Sequence, residues 1–245
     1  MKNKTLFLVT SALETPNGGV ESRFFDTLST INSINSQYRD CEIWLVETGF
    51  KMPSQEYLDM LPDNVVVKGF WQDERILQII KEAVKYSDEV SAIYGVEFAK
   101  VLYLLYVKNV TESWALSRVL REDLTDGWDR IFKLSGRYCL QPRFNVEDHA
   151  VPKFVVSNRV KSIQRNIPDI DWVHYCFLWS APGSDYKKLI DLWNAIELEV
   201  QNRVSENKLI DIEHALYLHL DKEWVQEIDK LNVYAKINGT GIVFK

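Results

Sequence analysis

The segment Trp128–Leu140 contains the residues best suited to chemistry. It starts as an apolar run, which is typical of a buried strand, and then changes abruptly to Ser135-Gly136-Arg137-Tyr138. Ligands of open α/β sheets bind beyond the carboxyl ends of the strands. There, Gly136 would let backbone approach a ligand closely, and Arg137 would offer a planar fork suited to phosphate. The alternative is an ordinary strand-end turn that carries a surface arginine.

Other motifs mainly exclude functions. Gly18-Gly19 matches neither the dinucleotide-binding fingerprint nor a P-loop, which argues against a dehydrogenase or an ATPase. His214 and His219 would lie about 140° apart around a helix, so they cannot readily chelate one ion from the same helix. The sequence contains no Gly-x-Ser-x-Gly motif, no His-Glu-x-x-His motif and no closely spaced Cys/His cluster.

The first half of the chain alternates between strands and helices. The predicted strands are Thr5–Ala12, Cys41–Glu47, Asn64–Phe70 and Trp128–Leu134. The predicted helices are Val20–Asn35, Asp73–Tyr86, Val96–Val107 and Glu112–Leu124. This alternation implies parallel strands with right-handed crossovers, so that their carboxyl ends meet at one edge.

The second half has a different pattern, with strands and helices grouped rather than alternating. The predicted strands are Lys153–Ser157, Trp172–Trp179, Val233–Ile237 and Ile242–Phe244. The predicted helices are Ser184–Val204, Ile210–Leu220 and Glu223–Lys230. No internal repeat or linker-like segment interrupts the chain, so we expect residues 1–245 to form a single domain.

Composition narrows the class of partner and the compartment. The chain has 245 residues and a net charge of −6, which argues against a mainly electrostatic nucleic-acid binder. The Cys count is 3, with wide spacing and no Cys-x-x-Cys pair, so we expect reduced thiols and a reducing compartment.

The N-terminus superficially resembles a short signal peptide, because the apolar run Thr5–Ala12 follows Lys2 and Lys4. The run is brief, rich in β-forming residues and followed by a polar turn region, so a first buried strand explains it as well. No stretch approaches the ~20 apolar residues of a membrane span. We therefore expect a cytoplasmic protein without a membrane span.

The strand end Lys133-Leu134-Ser135-Gly136-Arg137-Tyr138 resembles the central strand of GT-A-fold glycosyltransferases. It is especially similar to a group of small virus-encoded and bacterial sugar transferases. Further matching segments follow in the same order along the chain: Thr10-Ser11, Arg23–Leu28, Glu47, Glu112, Asp211–His214 and Asn238–Gly241. The resemblance implies an α/β fold with a Rossmann-type, mainly parallel central sheet flanked by helices. It also implies a nucleotide-binding half, about residues 1–140, and a smaller acceptor-side half, about residues 141–245.

The activity implied by the resemblance is transfer of a hexose or pentose from a nucleotide diphosphate sugar to a saccharide or glycan acceptor. Glu213 would be the general base of an inverting reaction; a carboxylate that complements the helix dipole explains the same position about equally well. The implied donor-binding residues are Thr10, Ser11, Glu47, Glu112, Arg118, Ser135, Gly136 and Tyr138. Capping of strand ends is the alternative for Ser11 and Glu47, and a solvated charge is the alternative for Arg118.

One departure from the family pattern concerns metal. Most GT-A enzymes carry Asp-x-Asp at this strand end and hold Mn²⁺ or Mg²⁺ with it, whereas this chain has Ser135-Gly136-Arg137. Arg137 would replace the ion in offsetting charge on the leaving diphosphate, or assist an ion held by Glu213 or His214. We expect the metal to be weakly bound or dispensable.

Two other classes of function compete with a glycosyltransferase. A non-catalytic nucleotide- or carbohydrate-binding domain would keep the fold without the acidic motif. A nucleotidyltransferase would normally carry a basic, Gly-rich segment after the first strand, and no lysine lies near Gly18-Gly19.

Overall fold

A computed structural model of the chain describes residues 4–13, 20–49, 51–163, 167, 169–206, 208, 210–237 and 240–244. The strands, in chain order, are β1 (Thr5–Ser11), β2 (Cys41–Glu47), β3 (Val65–Gly69), β4 (Arg130–Ser135), β5 (Tyr138–Leu140), β6 (Phe154–Ser157), β7 (Val160–Lys161), β8 (Trp172–Val173), β9 (Leu178–Pro182), β10 (Val225–Ile228), β11 (Val233–Ile237) and β12 (Thr240–Phe244). The α-helices are α1 (Val20–Gln37), α2 (Gln55–Asp59), α3 (Glu74–Tyr94), α4 (Val96–Glu122), α5 (Tyr186–Ser205) and α6 (Ile212–His219). Among the described residues, no helix has the length and apolar character that a bilayer crossing requires.

The central sheet of the described residues has seven strands in the order β10-β6-β9-β4-β1-β2-β3. Strands β4, β1, β2 and β3 are parallel to one another, as the alternation of strands and helices predicts. Strand β9 runs antiparallel to β4 and β6, and β10 is parallel to β6. The fold is therefore α/β with a mainly parallel central sheet flanked by helices. A smaller antiparallel sheet, in the order β12-β11-β5, adjoins it.

Strand β1 is a continuous apolar run because both of its faces are covered. Leu6 and Leu8 belong to the core on the side of α3, α4 and α5, and Phe7 and Val9 belong to the core on the side of α1. All four side chains are 0% exposed. The polar side chains of β1 therefore collect at its ends, where Thr10 begins the carboxyl end.

Helix α4 is one continuous helix where the sequence predicted two, Val96–Val107 and Glu112–Leu124. The intervening Thr111 lies within the helix, and its hydroxyl donates a hydrogen bond to the Val107 carbonyl at 2.6 Å. The continuity places Lys108 and Glu112 one helical turn apart, so both side chains are on the same side of α4.

The predicted long strand Trp172–Trp179 is instead two strands, β8 and β9, separated by residues 174–177. This segment crosses the carboxyl end of β4. The Cys176 carbonyl accepts a hydrogen bond from Lys133 Nζ at 2.8 Å, and the Phe177 carbonyl accepts one from the Ser135 amide at 2.9 Å. Here the chain passes from β8, which pairs with β7, into the central sheet at β9. The Cys176 carbonyl helps to meet the need of the buried Lys133 ammonium for oxygen partners.

The predicted helix Glu223–Lys230 is wrong, since its central residues form β10. This strand pairs with β6 in a parallel register that joins Val225 to Phe154. Pairing with an available sheet edge outweighs the helical pattern of so short a segment. Of the predicted C-terminal turn Asn238–Gly241, Asn238 and Gly239 lie outside the described residues.

Candidate active site

A cavity of about 320 Å³ lies at the carboxyl ends of β1, β2 and β4. Residues of α1, α4, segment 174–177 and the start of α6 complete its walls. Because the carboxyl ends of parallel strands meet here, this is the ligand site expected of an open α/β sheet. Eight of the residues predicted from the sequence line the cavity, namely Thr10, Ser11, Glu112, Ser135, Gly136, Arg137, Tyr138 and Glu213.

Gly136 allows the turn between β4 and β5 to pack closely against β1 and α1. Its amide donates a hydrogen bond to the Thr10 carbonyl at 2.8 Å. A Cβ at this position would lie 3.0 Å from both that carbonyl oxygen and Thr27 Oγ1. The absence of a side chain at Gly136 therefore lets the turn lie close to β1, and the following Arg137 lines the cavity from this turn.

A buried ion pair ties α4 to the central sheet at the base of the cavity. Lys133 is 0% exposed, and its Nζ lies 2.9 Å from Glu112 Oε1 and 2.7 Å from Ser135 Oγ. Glu112 Oε1 also accepts a hydrogen bond from Thr10 Oγ1 at 2.9 Å. Burial alone would raise the pKa of Glu112, but Lys133, Lys108 and these hydrogen bonds together lower it to about 2. Glu112 is therefore an ionised structural carboxylate that lines the cavity.

Glu213 is a second carboxylate, and it enters the cavity from the first turn of α6. Asp211 caps this helix, since its side chain accepts a hydrogen bond from the His214 amide at 2.9 Å. Glu213 Oε1 accepts a hydrogen bond from the Cys176 thiol at 3.0 Å. Burial and the charge of Glu213 raise the pKa of Cys176 well above its usual value. The thiol therefore stays protonated and serves as a neutral donor to the carboxylate.

Three cationic side chains line the cavity: Arg23, Lys108 and Arg137. Arg23 Nη1 donates to the Ala12 carbonyl at 3.1 Å. Lys108 and Arg137 are both exposed to the solvent of the cavity. Glu213, and then Glu112, raise the pKa of Lys108 against the effect of burial, so its ammonium is charged.

Glu47 lies outside the lining, at the end of β2. It is 0% exposed, and its Oε1 accepts hydrogen bonds from the amides of Leu13 at 2.8 Å and Gly49 at 2.7 Å. Burial raises the pKa of this carboxyl. These contacts match the strand-end capping alternative, because Glu47 joins the segments that follow β1 and β2.

Arg118 and His214 also lie outside the cavity lining. Arg118 pairs with Asp73 at the start of α3, and its guanidinium lies 5.3 Å from the centre of the Trp114 ring. His214 Nδ1 lies 2.5 Å from Asp211 Oδ1, and its Nε2 lies 2.7 Å from Ser162 Oγ. Both imidazole nitrogens thus have partners within the protein.

Three lining side chains with a charge or a thiol were not assigned to the site from the sequence: Arg23, Lys108 and Cys176. Lys133, which is buried beneath the lining, was not assigned a role either. Lys133 carried a signal that could have been used, because a lysine in an otherwise apolar strand requires a buried partner. Lys108 gave no such signal, since lysines are common on helices. Its place in the cavity depends on the packing of α4 against the sheet.

The side chains around the cavity do not form a set that suits a divalent ion. No group of three or more His, Cys, Asp or Glu residues within the described parts of the chain is placed to hold a metal. The two lining carboxylates, Glu112 and Glu213, already have Lys133 and Cys176 as partners. Mn²⁺ and Mg²⁺ require several oxygen ligands, so this donor set does not fit them.

Stacked aromatic rings lead from the cavity to the surface. Tyr138 and Phe177 line the cavity, and their ring centres are 4.5 Å apart with an interplanar angle of 4°. Phe177 stacks in turn on Tyr175 at 5.4 Å, and Tyr175 is 37% exposed. We call Tyr138, Phe177 and Tyr175 the aromatic stack.

The chain matches no protein-family model, and a comparison with curated proteins finds no match. Comparison with solved structures does find similar folds. One is the mannosyltransferase Ktr4p from S. cerevisiae in complex with GDP, with a TM-score of 0.52 and 11% identity, covering 92% of this chain and 69% of that one. Another is the galactosyltransferase LgtC in complex with donor and acceptor sugar analogs, with a TM-score of 0.50 and 8% identity, covering 91% of this chain and 72% of that one. The fold is therefore that of the GT-A glycosyltransferases.

Proposed function

We propose that this protein is a glycosyltransferase that moves a hexose or pentose from a nucleotide diphosphate sugar to a saccharide or glycan acceptor. The observation that carries the proposal is the cavity itself. On a GT-A fold, one site at the carboxyl ends of parallel strands combines a carboxylate, Glu213, with the cations Lys108 and Arg137. A transferase needs a carboxylate for the acceptor proton and positive charge for the departing diphosphate.

In the proposed reaction, Glu213 removes the proton of an acceptor hydroxyl while that oxygen attacks the anomeric carbon of the donor. The bond from this carbon to the diphosphate oxygen breaks, and the electron pair leaves with the nucleoside diphosphate. Attack opposite the leaving group inverts the anomeric centre. Arg137, beside the tight turn at Gly136, offsets the charge that develops on the leaving oxygen.

We assign the donor to the side of the cavity formed by residues of the first half of the chain. Thr10, Ser11 and Ser135 supply hydroxyl groups there, and Glu112 and Lys133 hold these strand ends together. Residues after about 140 contribute Glu213 and most of the aromatic stack. Since sugars present apolar faces that pack on aromatic rings, we assign the acceptor to this side.

The proposal is tested first by binding. A thermal-shift panel of nucleoside diphosphates and nucleotide sugars, each with and without Mn²⁺, should give an increase in Tm for the correct nucleotide, because a ligand of the folded state stabilises it by mass action. Failure of every nucleotide to bind would reject the proposal.

Turnover separates an enzyme from a binding domain of the same fold. The donor found in the panel is incubated alone and with a set of mono- and oligosaccharides, and release of nucleoside diphosphate is followed. We expect slow hydrolysis of the donor alone and faster release with the correct acceptor. Tight binding without release under any condition would favour a non-catalytic nucleotide-binding domain.

A further inference from the structure

Lys108 and Arg137 share a feature that distinguishes them from most charged groups of the site. Both side chains line the cavity, and neither forms a hydrogen bond or a close ion pair with any described residue. By contrast, the ammonium of Lys133 contacts Glu112, Ser135 and the Cys176 carbonyl.

The two cations approach the cavity from different elements. Lys108 comes from α4, and Arg137 comes from the turn between β4 and β5. Both are held by rigid surroundings, since α4 is tied to β4 by the Lys133–Glu112 pair and Gly136 packs on β1. An anion that contacts both side chains would meet positive charge supplied by two elements that are already fixed to the sheet.

The charge of the site calls for an anion rather than a cation. Each phosphate of a nucleotide sugar carries negative charge, which an arginine fork and a lysine ammonium bind by charge-assisted hydrogen bonds. A divalent cation in the same place would be repelled by both groups. It would also lack ligands, because Glu112 and Glu213 are engaged and no third metal-ligating group joins them in the described part of the chain.

We infer that Lys108 and Arg137 together bind the diphosphate of the donor directly, so that nucleotide binding requires no divalent ion. This inference rests on the proposed function and adds to it a phosphate-binding residue, Lys108, and a metal-free mode of binding. Lys108 is then, with Arg137, a group that touches the leaving diphosphate.

Binding measurements by calorimetry test this inference without any turnover. Inorganic pyrophosphate, GDP, UDP, guanosine and uridine are titrated into the intact protein in EDTA and, separately, in Mn²⁺. We expect pyrophosphate and one nucleoside diphosphate to bind in EDTA, with affinities within about threefold of those in Mn²⁺. Raising the salt concentration should weaken both interactions, since the contacts are ionic.

Two variants and a control test whether Lys108 and Arg137 are the residues that bind the diphosphate. Lys108→Met and Arg137→Met should each weaken pyrophosphate and nucleoside diphosphate binding about tenfold and leave nucleoside binding unchanged. Lys81→Met, which removes an exposed lysine of α3 outside the cavity, should change none of these affinities. Far-UV circular dichroism and Tm show that each variant is folded.

The outcomes distinguish the inference from the proposed function. Nucleoside diphosphate binding that appears only with Mn²⁺ would overturn metal-free binding and leave the glycosyltransferase proposal standing. Equal affinity of Lys108→Met and the unchanged protein for pyrophosphate would remove Lys108 from the site. Absence of all nucleotide binding would reject the proposed function itself.

Discussion

Glu213 differs from Glu112 in what surrounds its carboxylate. Glu112 is fixed by a lysine and a threonine and serves the structure, whereas Glu213 is held by the neutral thiol of Cys176. A general base must be ionised at working pH and still be able to accept a proton. The thiol orients the carboxylate, and Lys108, the cation that Glu213 most affects, forms no close ion pair with it. The carboxylate is therefore open to an acceptor hydroxyl, which suits Glu213 to that role.

Glu213→Gln should therefore lower kcat by at least about a hundredfold, because the amide cannot accept the acceptor proton. Affinity for the nucleoside diphosphate should stay nearly the same, since the base acts on the acceptor. Steady-state kinetics and calorimetry measure the two quantities. Glu223→Gln, at an exposed site outside the cavity, is the control. Near-normal turnover of Glu213→Gln would return Glu213 to the role of complementing the dipole of α6.

At the scale of elements, helix α4 packs on the sheet through apolar side chains and, at its cavity end, through one buried polar contact. The Lys133–Glu112 pair joins α4 to β4, and Thr10 brings in β1. Removing one partner of a buried pair leaves an uncompensated charge, which costs more than the pair itself contributes. The cavity therefore depends on both partners being present.

Lys133→Met should lower the free energy of unfolding by about 3 kcal/mol, because it leaves Glu112 without its main counter-charge. The double variant Glu112→Gln/Lys133→Met should lose less than the sum of the two single variants. Urea unfolding of the four proteins measures these differences. Strict additivity of the two single effects would mean that the pair is not coupled.

The aromatic stack is the part of the structure to which we assign the saccharide acceptor. Tyr175→Ala should raise KM for a saccharide acceptor about fivefold while donor affinity is unchanged, because a stacking surface is lost. Tyr175→Phe keeps the ring and should behave like the unchanged protein. Leu198→Ala, which truncates an exposed apolar side chain of α5 outside the cavity lining, is the control. An unchanged acceptor KM in Tyr175→Ala would remove Tyr175 from the acceptor site.

Elements were predicted well from the sequence where local pattern and burial agree. β2 is found at the predicted Cys41–Glu47, because a strand covered on both faces must be continuously apolar. β10 was predicted as a helix, since its strand state comes from pairing with β6, a partner far away in the chain. The same difference between local pattern and long-range packing applies to the candidate site. The turn at Gly136 was found from a local motif, but Lys108 enters the cavity only through the packing of α4.

At the scale of the whole molecule, histidines buried without charge link stability to pH. His149 is 2% exposed, lies 5.1 Å from the centre of the Phe132 ring and contacts Ser180 Oγ through Nδ1 at 2.8 Å. Burial, and next the charge of Arg130, lower the pKa of His149 to about 3. Burial also lowers the pKa of His174. The imidazole of His149 is therefore neutral in the folded protein at mildly acidic pH.

The free energy of unfolding falls as the pH falls, because His149 binds a proton at a higher pH in the unfolded chain than in the folded protein. An unfolded histidine titrates near pH 6.5, whereas folded His149 stays neutral until about pH 3. Between these values the unfolded chain binds the extra proton, so stability falls as the pH falls. The pKa of Glu112, lowered to about 2, acts in the same direction at more acidic pH, below about 4.5.

We therefore expect the free energy of unfolding to fall by about 2 kcal/mol between pH 7 and pH 5 on account of His149, and His174 should add to this decrease. Urea unfolding at several pH values measures it. His149→Asn should make the dependence shallower by that amount, since asparagine does not titrate, whatever the effect of the substitution on stability at pH 7. The same slope in His149→Asn and the unchanged protein would show that His149 is not the group responsible, and that acid destabilises the fold through other groups.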